Sequence, residues 1–123
     1  MKKLFISCPM KNRSKESIQE SFETMHKVAE IMFGEELEVI QSYIDEDPPN
    51  DVNAGIWYLA HSMLKLSEAD YFIGVYNQRL SIHENYNMCD FEERIARNYN
   101  IPTKTINCID YKCFYDLYKK KTN

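Results

Sequence analysis

Short apolar runs alternate with longer amphipathic segments along this chain, and that alternation restricts the fold more than any other feature. The runs with the composition of strands are 3–7, 37–43, 71–76 and 103–107. The segments that follow them are predicted helices, because their apolar residues recur at spacings of three and four. The last of these segments is 110–120. The order β-α-β-α-β-α-β-α predicts a single-domain, three-layer α/β fold. Its parallel sheet would have four or five strands, as in Rossmann-like or flavodoxin-like proteins, with strand 3–7 in the centre.

Capping residues mark the ends of the predicted helices. Ser14 is a predicted N-cap and Gly34 a predicted stop, so the first helix spans the residues between them. The third helix is predicted over 88–99, because Asn100 can adopt the left-handed conformation that ends a helix. The second helix is predicted over 53–67. Its predicted core positions are Ile56, Leu59, Ala60, Met63 and Leu64.

The size and charge of the chain exclude several classes of function. Its 123 residues fit one domain, 1–123, and its net charge of −4 disfavours binding to a nucleic-acid polymer or an anionic membrane surface. The spacing of its four cysteines matches no zinc pattern, so we expect no metal and no other cofactor. No apolar run resembles a signal peptide or a membrane span, so we expect a cytoplasmic protein.

Parallel sheets of this kind bind ligands beyond the carboxyl ends of their strands, a side of the sheet called here the carboxyl edge. Three segments are predicted to meet there, namely 8–14, 42–53 and 76–88. Tyr76, Asn77 and Tyr86 belong to the third of them and can form an aromatic and amide wall for a nucleobase. Aromatic residues that only cover the end of the sheet would show the same pattern.

The turn after the first strand is rich in groups that bind anions. Backbone N–H groups, hydroxyls and two cations precede the first helix, which is typical of phosphate sites. The candidate substrate-binding residues are Ser7, Cys8, Pro9, Met10, Lys11, Asn12, Arg13 and Ser14. The turn has neither a GxGxxG motif nor a P-loop motif, which excludes those two nucleotide fingerprints. An ordinary surface turn with one lysine and one arginine is the alternative.

Two carboxylates are candidates for chemistry. Glu92 lies in the third helix, close to the end of the third strand, where a carboxylate can act as a nucleophile at a sugar carbon. The alternative is a solvated ion pair of Glu92 or Glu93 with Arg97, at helical spacing. Asp70 directly precedes the third strand, and its alternative role is to cap the segment before it.

Three segments together resemble the nucleoside 2-deoxyribosyltransferase-like superfamily, and in particular its short phage-associated members that open with an IS-x-PM turn. The segments are FISCPMKNRSKESI, LKLSEADYFIGV and FEERIARNYNIP. In the last of them, Ala96 follows Glu92 by four positions, Asn100 follows it by eight, and Pro102 lies two positions beyond Asn100. This spacing aligns Glu92 with the catalytic glutamate of the family. Asp70 aligns with the aspartate that opens the third main strand.

The resemblance implies an N-glycosidase or a deoxyribosyltransferase that acts on a nucleoside or nucleotide, with Glu92 and Asp70 as catalytic residues. Glu92 would attack C1′ of a 2′-deoxyribosyl group. Lys11 and Arg13 would suit a 5′-phosphate, as in the similar 2′-deoxynucleoside 5′-phosphate N-hydrolases. Members of the family commonly pair, so the resemblance also implies a homodimer.

Two departures from the family pattern favour other functions. Residues 86–89, just before Glu92, contain no glycine, and Ser62 stands where the enzymes have an aspartate that orients or protonates the base. The first alternative is a protein that senses or sequesters a nucleotide without catalysis. The second is an interaction scaffold that keeps only the fold.

Overall fold

Seven helices and strands alternate in a computed structural model that describes residues 1–8, 13–76 and 88–107. The strands are β1 (Lys2–Ser7), β2 (Leu37–Val39), β3 (Tyr71–Tyr76) and β4 (Thr103–Asn107). The helices are α1 (Lys15–Phe33), α2 (Ala54–Leu66) and α3 (Met88–Asn98). The predicted helix over 110–120 lies outside the described residues.

The four strands form one sheet in the order β2-β1-β3-β4, and every pair of neighbours is parallel. The predictions of a parallel sheet and of an interior position for β1 are therefore confirmed. The second strand is shorter than predicted, because the ladder with β1 ends at Leu4 and Val39 and only Ile40 adds a further bond, from its N–H to the Leu4 carbonyl at 2.9 Å. As an edge strand of the described sheet, β2 has a partner on one side only, so fewer ladder bonds hold its end.

The side chains of β1 alternate between two cores, one on each face of the sheet. On one face α1 packs against the sheet, and residues of the helix and of the strands form one apolar cluster: Leu4, Ile6, Cys8, Met25, Val28, Ala29, Leu37, Ile73 and Ile106. On the other face α2 and α3 enclose Phe5, Ile40, Leu66, Phe72 and Ala96. The rings of Phe5 and Phe72 stack there with centroids 5.7 Å apart. The described residues thus form three layers, with helices on both faces.

The ends of α1 and α3 agree with the capping residues. Ser14 Oγ accepts a hydrogen bond from Ser17 N at 3.1 Å, which satisfies one unpaired donor of the first turn of α1. Gly34 ends α1 in the left-handed conformation with φ of 75°. Asn100 has φ of 62° just after α3, so it ends that helix as predicted.

The predicted core stripe of α2 is wrong in part. Ile56 and Leu64 are each 65% exposed, whereas Ser62 and Leu66 are buried. Apolar residues occur around most of α2, so their spacing does not select one face. Packing against α3 and the sheet selects the face that carries Ser62 instead.

Gly34 should be hard to replace because of its backbone conformation alone. A Cβ at this position would have no heavy atom within 4 Å, so Gly34→Ala introduces no clash. The left-handed φ should still lower the free energy of unfolding by about 1 kcal/mol. Urea denaturation monitored by circular dichroism measures this loss. Gly55→Ala in α2 is the matched control and should cause no loss, since its φ is not positive; equal losses would contradict the conformational explanation.

Candidate functional site

Successive strands are added on opposite sides of β1, so the strand order changes direction between β1 and β3. From β1 the chain continues to β2 on one side, and β3 then pairs with β1 on its other side. Connections that diverge in this way leave a crevice at the carboxyl edge, where open α/β sheets bind ligands. Ser7 is the last residue of β1 and is paired with Gly74 of β3, so both lie at this crevice.

Glu92 reaches the crevice from α3 and is 6% exposed. Its Oε1 atom accepts a hydrogen bond from Ser7 Oγ at 2.7 Å. Its Oε2 atom accepts a hydrogen bond from Ser62 Oγ of α2. One carboxylate therefore joins the sheet to both helices on that face.

The three residues meet because each lies one structural repeat away from a residue of the apolar cluster, on the side of the carboxyl edge. Ser62 precedes Leu66 by four residues in α2, and Glu92 precedes Ala96 by four residues in α3, so each pair shares one helix face. In β1, Ser7 follows Phe5 by two residues and lies on the same face of the strand. Leu66, Ala96 and Phe5 belong to the apolar cluster beneath. A polar layer thus covers the apolar core at the carboxyl edge.

Burial and hydrogen bonding act on the Glu92 carboxyl in opposite directions. Burial raises its pKa above the ordinary 4.5, because a charge is poorly solvated there. The hydrogen bonds from Ser62 and Ser7 lower the pKa, because they stabilise the ionised form. Burial dominates, so the pKa stays raised. Each oxygen accepts one bond from these serines, and a carboxylate oxygen has a further lone pair for a ligand.

Two cysteines flank the carboxylate and are poor nucleophiles. Burial raises the pKa of Cys8, at the end of β1, to about 12, although the nearby Arg13 guanidinium lowers it in part. Burial raises the pKa of Cys89, in the first turn of α3, to about 11, and a hydrogen bond with Ser7 lowers it in part. Both thiols therefore stay protonated at neutral pH, and the thiolate is the reactive form.

The two described polar residues of the opening turn are engaged with α1. Arg13 donates from Nη2 to the Ser17 carbonyl at 2.9 Å, and it also bonds the Ser17 and Ser21 hydroxyls. Ser14 caps the helix. Several predicted site residues lie outside the described residues, as does the Tyr76 side chain: Pro9, Met10, Lys11, Asn12, Asn77 and Tyr86.

Asp70 lies at the opposite edge of the sheet from Glu92, so the structure does not bring together the two residues that the resemblance implies are catalytic. Its carboxylate accepts a hydrogen bond from Lys3 N at 2.8 Å, and its own N–H donates to the Lys3 carbonyl. It thereby extends the pairing of β1 and β3 at their amino ends. Lys3 precedes Ser7 by four residues, which is about 13 Å along a strand.

The other glutamate of the pair is separate from the site. Glu93 Oε2 accepts a hydrogen bond from Arg97 Nε at 3.3 Å, and its side chain is 30% exposed. This is the helical ion pair that the spacing of four residues predicts. Adjacent glutamates thus have different environments, because a step of about 100° along a helix turns one inward and the other outward.

Ser62 is the site residue that the sequence pattern did not identify as a contact. It appeared only as the position where the family has an aspartate. The available signal was its distance of four residues from Leu66, which places both on one helix face. Sequence alone did not show that this face, rather than the one with Ile56 and Leu64, packs inward.

Comparison with known proteins gives no match: no family model, no curated protein and no solved structure matches the chain. Within residues 1–8, 13–76 and 88–107, no three metal-binding side chains are grouped so that they could hold an ion. No described helix has both the length and the apolar character needed to cross a membrane.

Glu92→Gln should flatten the pH dependence of stability. The folded protein holds the Glu92 proton more tightly than the unfolded chain does, so this group stabilises the fold fully below pH 4.5. That stabilisation should be lost as the pH rises from 4.5 through the raised pKa of the folded state. Glutamine carries no titrating charge and should remove this decline. Urea denaturation at a series of pH values up to neutrality measures it.

Glu93→Gln is the matched control, since Glu93 is more exposed and paired with Arg97. It should leave the decline unchanged. A decline that persists in Glu92→Gln would show that Glu92 is not the group responsible.

Proposed function

We propose that this protein cleaves the N-glycosidic bond of a 2′-deoxynucleoside 5′-monophosphate, with Glu92 as the nucleophile. The observation that carries the proposal is the buried Glu92 carboxylate, held at the carboxyl edge by hydroxyls from β1 and α2. A carboxylate held by two donors has a fixed direction, which a nucleophile at a sugar carbon requires. The resemblance to the nucleoside 2-deoxyribosyltransferase-like superfamily supplies the substrate class.

The reaction proceeds in two steps. One Glu92 oxygen forms a bond to C1′ while the bond from C1′ to the base nitrogen breaks, and that electron pair leaves with the base, which takes up a proton. The developing positive charge on the sugar is stabilised by the adjacent carboxylate. Water then attacks C1′, gives a proton to solvent and frees Glu92. A second base in place of water makes the same reaction a transfer.

The serine hydroxyls support this role by favouring the ionised carboxylate. Burial alone would keep Glu92 protonated over a wider pH range and remove its nucleophilic form. Ser7 and Ser62 offset part of that effect. Activity should therefore increase with pH through an apparent pKa above 4.5, the ordinary value for glutamate.

A 5′-phosphate would lie near the turn of residues 8–14. The positive end of α1 follows this turn and favours an anion there. The Arg13 guanidinium adds a positive charge beside the same turn while it bonds the Ser17 and Ser21 hydroxyls. These features support a nucleotide over an uncharged nucleoside.

Binding without catalysis is the second candidate function, and Ser62 favours it. In the enzymes that the chain resembles, an aspartate at this position orients or protonates the base. Here the side chain is a hydroxyl that donates to Glu92 instead. A protein that senses or sequesters a nucleotide needs the crevice but not that carboxylate.

Glu92→Gln should abolish release of free base from a deoxynucleoside monophosphate and leave its binding almost unchanged. The amide keeps the shape of the side chain but lacks the anionic oxygen that attacks C1′. Chromatography of the released base measures turnover, and calorimetry measures affinity. Asp70→Asn is the control at the opposite edge and should retain turnover.

The two candidate functions give different results in this experiment. Base release by the wild-type protein and its loss in Glu92→Gln support the enzyme. Binding without base release, for each of the four common deoxynucleotides, supports the binding protein. Full activity of Glu92→Gln would contradict the role given to Glu92.

A further inference from the structure

Ser42 is a buried hydroxyl with no hydrogen-bond partner. The residue is 8% exposed, and its Oγ atom is the one buried side-chain oxygen or nitrogen in the described part of the chain that lacks a partner. Buried polar atoms are nearly always paired, because an unmet hydroxyl loses its bonds to water without replacement. An unpaired one is expected where a ligand supplies the missing partner.

Ser42 lies on the same face of the sheet as Ser7, Ser62 and Glu92. The faces on which its neighbours in the chain lie indicate this. Ile40 packs with Phe5 and Leu66 on the face of α2 and α3. Gln41 and Tyr43 line a groove against α1 on the opposite face. Ser42 falls between them and is buried, so it faces the same side as Ile40.

Ser42 follows the last residues of the β2 segment that contact β1. The ladder ends at Leu4 and Val39, and Ile40 continues the contact through its N–H bond to the Leu4 carbonyl. Ile40 also packs with Phe5 in the apolar cluster. Ser42 follows Ile40 by two residues, as Ser7 follows Phe5, so both serines come after this contact, toward the carboxyl edge.

The other neighbour of Ser7 adds no polar group to this layer. Gly74 is paired with Ser7 in β3 and has no side chain. A Cβ built there would lie 3.2 Å from Phe72 Cε1, so the Phe72 ring already fills that position. Ser42 therefore supplies the unpaired hydroxyl on this face of the described sheet.

We propose that the Ser42 hydroxyl is a substrate contact that pairs with the 3′-hydroxyl of a deoxyribosyl group whose C1′ faces Glu92. The inference rests on the proposed function, because it takes from it the position of C1′. The 3′-hydroxyl is the free hydroxyl that the sugar of a 2′-deoxynucleoside 5′-monophosphate retains. It is attached to the same ring as C1′, so we place it against the unpaired serine on the face of the sheet that carries the nucleophile. Each hydroxyl can donate and accept a hydrogen bond, so the 3′-hydroxyl and Ser42 Oγ can pair in either direction.

The test compares deoxynucleotides with their 2′,3′-dideoxy counterparts, which lack the 3′-hydroxyl. Calorimetry gives the affinity of the wild-type protein and of Ser42→Ala for both ligands. The wild type should bind the deoxynucleotide about threefold to tenfold more tightly, the value of one hydrogen bond. Ser42→Ala should lose that preference and bind both ligands as the wild type binds the dideoxynucleotide.

The unfolding midpoint in urea provides a second readout that needs no ligand. Because the Ser42 hydroxyl has no partner in the folded protein, Ser42→Ala should leave the midpoint unchanged or raise it. Thr24→Val is the matched control on the opposite face: its buried hydroxyl bonds the Glu20 carbonyl at 3.0 Å. That variant should keep the preference for the deoxynucleotide.

Several results would overturn the inference. Ser42→Ala could retain the preference for the 3′-hydroxyl, weaken both ligands equally, or lower the unfolding midpoint as a paired hydroxyl would. Each of these contradicts the contact while the proposed function stands. If none of the four deoxynucleoside monophosphates binds the wild-type protein, the proposed function fails and the inference fails with it.

Discussion

The hydrogen bonds from Ser7 and Ser62 to Glu92 are the interaction on which the arrangement of the carboxyl edge depends. A buried carboxylate without donors is strongly unfavourable, since it loses the solvation that water provides. Here the two hydroxyls come from β1 and α2, while the carboxylate comes from α3. The position of each element therefore depends on the other two, and a shift of any one would leave a buried charge or hydroxyl unpaired.

This polar layer lies directly on an apolar one. Phe5, Leu66 and Ala96 pack beneath Ser7, Ser62 and Glu92, each one repeat away along its own element. Side chains return to the same face every two residues in a strand and about every four in a helix. The packing that brings the apolar residues together therefore also brings the polar residues together. The apolar layer stabilises the packing by removing hydrocarbon from water, and the polar layer determines which side chains meet at the edge.

The same layer shows how a fold can hold a reactive group. Burial raises the pKa of Glu92, and the hydrogen bonds from the serines lower it in part, so two opposing effects set how readily the carboxyl ionises. The neighbouring thiols have raised pKa values and stay neutral, so they add no charge that would disturb this balance. Asp70, by contrast, is exposed and supports the pairing of β1 and β3 at the far edge.

The sequence by itself determined the fold class, the parallel sheet and the helix ends at Ser14, Gly34 and Asn100. These depend on local periodicity, capping and turn chemistry, which act between residues close together in the chain. It also identified Glu92 as a candidate, through a resemblance to a family for which the comparisons with known proteins give no match. Only the tertiary structure decided that Ser62 faces inward while Ile56 and Leu64 do not, that Ser42 is buried without a partner, and that Asp70 lies far from Glu92. Those facts depend on which elements pack together, and residues such as Ser7 and Glu92, which are 85 positions apart, meet only when the whole sheet and its helices are in place.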